Sequence, residues 1–230
     1  MNNSFNNNTE LNNNENSYTM IKIIILLIGL QISRIILKQG AFLFLSYNKF
    51  NDTFISMSIM FFLTIFIIYK SKKENVSLNI FSYMENKESK IYYLIVTSAL
   101  VLLIFTSPSF SSKPSIETIL PLLYTTVMTP IYEETIFRSY IWKVLEKENM
   151  DEAKVYFLTT ILFSIYHIGY IDTIIMTSGF NHMALMLLIK CSLMLSYGLF
   201  IGFFRYKIKN LYSCILVHSF INIFLRWKYL

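Results

Sequence analysis

Residues 117–145 read ETILPLLYTTVMTPIYEETIFRSYIWKVL. The stretch is long and apolar, yet its middle, 132–140 (YEETIFRSY), holds Glu133, Glu134 and Arg138. A bilayer core is about 30 Å thick, and a helix needs ~20 residues to cross it. Ionisable groups at that depth are rare, and they face a bundle interior or a wet cavity. The reading of this stretch therefore sets the reading of the chain: a helix inside a membrane bundle, with its charges turned away from lipid.

The rest of the sequence agrees. Of 230 residues, 54% are hydrophobic and only 15% charged, where soluble domains average about a quarter charged. The mean hydropathy is +0.49. The apolar residues fall into seven segments, at about 20–45, 53–69, 91–107, 117–145, 153–170, 183–204 and 209–228. The expected fold is an all-α polytopic transmembrane bundle with about seven membrane segments, six to eight being compatible with the pattern. Arg34 and Lys38 interrupt the first segment, which leaves open whether it spans fully. The stretch TSPSFSSKPS ends the third.

Residues 1–18 are Asn-rich, without Lys or Arg, and are expected to be disordered. They lack the basic start of a signal peptide, so the first span is expected to be retained. Residues 19–112 are read as N-terminal transmembrane helices, and 113–230 hold the polar constellation.

The net charge of +6 is spread over short loops and signals membrane orientation rather than nucleic-acid binding. Lys70, Lys72, Lys73, Lys87 and Lys90 lie between segments two and three. Lys143, Lys147 and Lys154 lie between four and five, and Arg205, Lys207 and Lys209 between six and seven. The opposite side offers Lys49, Lys113, Arg226 and Lys228. The N-terminus is expected to be cytoplasmic. Cys191 and Cys214 lie in apolar runs and match no metal or redox spacing.

The constellation to examine inside the apolar segments is Glu133, Glu134 and Arg138 in the fourth, His167 in the fifth, and His218 near Asn222 in the seventh. Residues four apart share a helix face. Glu134 should therefore face Arg138, and His218 and Asn222 should point at one spot, with Phe163 one turn before His167. Glu133 is turned about 100° from Glu134 and stays free for chemistry. If segments four and five form a hairpin turning near Met150, Glu133 and His167 lie equally far from the turn, at similar heights about 25 Å from it.

A carboxylate beside an imidazole suits proton abstraction from water. A second imidazole and an amide suit an oxyanion. Glu133, His167 and His218 could instead hold zinc or another divalent metal, although H-E-x-x-H is absent. Gly198 and Gly202, four apart, suit close helix packing. His182 and Asp172 are read as loop or interface residues. Competing readings are a non-catalytic scaffold or immunity protein that binds a toxin or partner, and a proton-relaying transporter.

EETIFR resembles the E-E-x-x-x-R motif of the CPBP family, the CAAX-prenyl-protease and bacteriocin-processing intramembrane proteases also called Abi. FSIYH is similar to its F-x-x-x-H motif and HSFIN to its H-x-x-x-N motif. The order agrees, over roughly 115–226. Ser139 stands where a Gly often follows the motif Arg. The resemblance implies an intramembrane endopeptidase of glutamic or metallo type. Glu133 would activate water with His167 beside it, His218 and Asn222 would form the oxyanion hole, and Glu134 and Arg138 would support them. No cofactor is expected to be obligatory. The implied partners are a bilayer and a small peptide, a bacteriocin-like peptide or a membrane protein. Composition rich in Asn, Ile and Lys suggests a bacterial cell membrane.

Overall fold

The structure, a computed structural model, describes residues 3–78, 87–111 and 114–227 and has no strand among them. Of the charges counted for orientation, Lys113 and Lys228 lie outside the described residues, as do the side chains of Lys87 and Arg226. The helices are α1 (Asn3–Phe42), α2 (Lys49–Lys73), α3 (Lys87–Thr106), α4 (Pro108–Ser111), α5 (Ile116–Leu123), α6 (Thr129–Glu134), α7 (Trp142–Lys147), α8 (Glu152–Tyr166), α9 (Ile171–Ser178), α10 (Met183–Ile208) and α11 (Leu211–Trp227).

Four stretches are long and apolar enough to cross a membrane: Ser17–Phe42, Lys49–Lys73, Glu152–Ile175 and Phe180–Ile208. Lys90–Thr106 and Leu211–Leu225 are shorter apolar helices. The fourth segment is not one regular helix. It is a rod of α5, α6 and α7 joined by two π-helical stretches, Tyr124–Met128 and Thr135–Ile141. Seven uniform crossings are therefore not what the described residues show.

The rod is the centre of the bundle. Every residue from 132 to 142 is buried, so its charged side chains are turned into the bundle interior. Tyr132, Ile136, Phe137, Ile141, Trp142 and Leu145 join residues of α1, α2 and α8 in one hydrophobic cluster. A second cluster ties α3 to α11 through Tyr93, Leu100, Leu216 and Ile223. The outward faces of α1, α2, α3 and α10 carry exposed Ile, Leu and Phe, as lipid-facing surfaces should.

The first segment runs as an unbroken helix, and its Arg34 and Lys38 are sequestered in ion pairs. Arg34 meets Asp172 at 2.8 Å and Lys38 meets Asp52 at 2.7 Å. Asp172, expected at a loop or interface, is thus a largely buried partner on α9. Gly198 and Gly202 do bring helices together. A Cβ on Gly198 would lie 3.0 Å from the Phe163 ring, and one on Gly202 2.8 Å from the Tyr156 ring.

Candidate active site

The rod places both acids in the interior. Glu133 and Glu134 end α6, and the π-helical Thr135–Ile141 follows directly. A π turn closes i→i+5 bonds and is wider than an α turn. Arg138 therefore does not stack squarely on Glu134. The two approach to 3.5 Å, short of a hydrogen bond. The fully buried guanidinium instead donates to the Gly198 carbonyl at 3.0 Å and lies 4.4 Å from the Phe163 ring centroid.

Glu134 has a second partner that spacing did not disclose. Its Oε1 lies 2.7 Å from His218 Nδ1 on α11. An ionised carboxylate only accepts, so the ring donates from Nδ1. His218 Nε2 then points towards Glu133, 4.0 Å from Oε2. His167 opens a 3-10 turn (His167–Tyr170) that follows α8. Its Nδ1 lies 2.8 Å from the Phe163 carbonyl, which can only accept. Its Nε2 therefore faces Glu133, 3.6 Å from Oε1. The hairpin between α7 and α8 turns at 148–151, so the heights of Glu133 and His167 match as the numbering required. Phe163 packs against His167 with ring centroids 4.7 Å apart.

Each histidine thus has Nδ1 committed to a fixed acceptor and Nε2 turned to the Glu133 carboxylate. The outer partners set the tautomer, which is how histidines are held for work at the other nitrogen. Glu133, Glu134, Arg138, His167 and His218 are all buried. A cavity of about 300 Å³ opens onto Glu133 and His167, lined also by Tyr124, Thr129, Tyr170 and Met194. A larger one, about 640 Å³, lies near Lys22, Lys70 and Lys147 and holds none of the motif residues.

Asn222 has its own network. Its Oδ1 accepts from Tyr197 Oη at 2.8 Å, and its Nδ2 donates to the Thr125 carbonyl at 2.7 Å. The Thr125 bond follows from sequence. In the first π-helical stretch the Thr129 N–H reaches the Tyr124 carbonyl, an i→i+5 bond. The next such bond would run from residue 130 to Thr125, but residue 130 is Pro and has no N–H. Asn222 supplies the missing donor and pins α11 to the rod. Tyr197, which no motif flagged, also packs edge-on against His218 with centroids 5.0 Å apart.

Three further residues stand apart. His182 is exposed in a 3-10 turn, Phe180–His182. Cys191 and Cys214 are free cysteines. Among the described residues no group of three His, Cys, Asp or Glu side chains converges to hold a metal. Two ligand atoms on a tetrahedral zinc lie about 3.3 Å apart, closer than the 3.6 and 4.0 Å separations around Glu133. No step is routed through a metal.

Comparison with known families adds a match to the model described as type II CAAX prenyl endopeptidase, Rce1-like, over residues 115–224. The C-terminal segment is Rce1-like. The match bears out the resemblance carried by the three motifs, and the Rce1-like segment contains all six motif residues. With the apolar helices it points to a multi-pass membrane protein whose C-terminal segment resembles a CAAX-type protease. Helices α1 to α4 lie outside it. No curated protein and no solved structure gave a match.

Proposed function

We propose that the chain is an intramembrane endopeptidase in which Glu133 activates the attacking water. The observation that carries this reading is the Glu133 carboxylate set between the Nε2 atoms of His167 and His218, at the wall of a cavity. Water held between Glu133 and His167 would lose its proton to the carboxylate as it attacks the peptide carbonyl. Glu133 would then return that proton to the departing amine.

The developing oxyanion needs donors. His218, held at Nδ1 by Glu134, supplies one from Nε2 when that nitrogen carries a proton. The second N–H of the Asn222 amide supplies the other donor, the first being held by Thr125. The substrate is a small peptide, a bacteriocin-like peptide or a membrane protein, reached from the bilayer of a bacterial cell with the N-terminus in the cytoplasm.

The test is hydrolysis of lipidated and unmodified peptides by purified protein in detergent, beside His167→Ala, with and without chelator. Chelator-resistant cleavage that His167→Ala abolishes is the expected result. Cleavage lost to chelator and restored by zinc would replace the glutamate route with a metal one. A folded His167→Ala protein with unchanged cleavage would refute the site. Protection or partner binding that survives in this variant, without cleavage by either form, would favour the non-catalytic scaffold.

A further inference from the structure

The first helix reaches the candidate site from outside the Rce1-like segment. Helix α8 stops at Tyr166, and a helix end leaves carbonyls that need donors. Three of the carbonyls around His167 find them in side chains. The Phe163 carbonyl takes His167 Nδ1. The Tyr166 carbonyl accepts from Gln31 Nε2 at 3.0 Å, and the Gly169 carbonyl from Arg34 Nη2 at 2.6 Å. Gln31 and Arg34 belong to α1, and they grip the chain on both sides of His167.

The grip is cross-braced. Arg34 Nε donates to Gln31 Oε1 at 2.9 Å, and its two terminal nitrogens reach the two Asp172 oxygens at 3.3 and 2.8 Å. The guanidinium lies 4.5 Å from the Tyr170 ring centroid, and that ring lies 5.5 Å from the His167 ring. A Cβ on Gly169 would sit 2.3 Å from Gln31 Cδ, so only glycine admits Gln31 there. Arg34 is 4% exposed and lines the same cavity as Glu133 and His167. A planar fork with fixed donors suits this combination of carboxylate and carbonyl, and a lysine could not reproduce it.

We infer that Gln31 and Arg34 of α1 are positioning residues that fix the His167 ring by capping the interrupted end of α8. Resting on the hydrolase reading, this makes the N-terminal helix part of the working site rather than a membrane anchor. The chain has three histidines, so ring-labelled histidine gives a simple NMR spectrum of the full-length protein, with His167→Gln assigning the relevant signals.

Arg34→Gln and Asp172→Asn are expected to move the His167 signals and leave those of His218 in place. Turnover should fall about 10- to 100-fold with KM changed less than about twofold, as for a misplaced catalytic group. Arg34→Lys should recover only part of the turnover. His167 signals unmoved in folded Arg34→Gln protein would overturn the inference. So would equal displacement of all three histidines, which marks general loosening. If the parent protein cleaves no peptide, the hydrolase reading fails, while the His167 signals still decide whether α1 holds the ring.

Discussion

Removing Asn222 tests a bond that the backbone dictates. Asn222→Ala strips the donor from the Thr125 carbonyl, a group that Pro130 cannot serve. Leaving such a carbonyl unpaired in a water-poor interior costs about 1–3 kcal/mol. For a chain of this size that is about 2–4 °C of thermal midpoint per kcal/mol. Pro130→Ala returns an N–H in register with Thr125. In that background Asn222→Ala should therefore cost about 1 kcal/mol less than in the parent, a coupling that a double-mutant cycle isolates. Thermal unfolding in one detergent, across the four proteins, measures it. Equal losses in both backgrounds would refute the reasoning that Asn222 replaces the proline's missing donor. The same proteins separate the two tasks given to Asn222. If its second N–H serves the oxyanion, hydrolysis falls about 10²–10³-fold and Pro130→Ala does not restore it.

Other perturbations probe other residues. Glu134→Gln keeps an oxygen for His218 Nδ1 but removes the charge, and should lower turnover about tenfold or more with little loss of folded protein; unchanged turnover would leave Glu134 as a packing residue alone. Gly198→Ala places a methyl 3.0 Å from the buried Phe163 ring and 3.3 Å from Arg138 Nη2, so it should cost about 1–3 kcal/mol of stability and lower activity as well, measured by unfolding and peptide cleavage. Burial pushes the Glu74 carboxyl up, but hydrogen bonds from Lys70 and Tyr140 outweigh it and hold the group below its ordinary 4.5. Its contribution to stability is thus present above that value and is lost as pH falls through the lower, folded-state one. Glu74→Gln should flatten the decline in thermal midpoint at acid pH.

The sequence carried the site better than it carried the surroundings. Glu133 and His167 met because equal distances from a turn fix equal heights on a hairpin, a relation that needs only numbering. The pairing of Glu134 with Arg138 was legible in part, since a regular helical repeat was assumed where the chain widens into a π turn. The Glu134–His218 bond joins two helices with no sequence relation between them, and spacing within either one cannot disclose it. Arg34 and Lys38 looked like interruptions of a membrane span because their partners, Asp172 and Asp52, sit on other helices. The available signal was charge balance, Arg34 and Lys38 in one apolar segment against single acids near the ends of two others. Pro130 was the sequence's notice that one carbonyl would need an outside donor.

The central claim is that the Glu133 carboxylate performs the chemistry. Glu133→Gln preserves size and polarity and removes the base. Cleavage of a labelled peptide by this variant, purified in detergent beside the parent protein, tests the claim most directly. The variant is expected to fold, to unfold near the parent's temperature and to cleave nothing measurable. Parent-like cleavage by folded Glu133→Gln protein would contradict it.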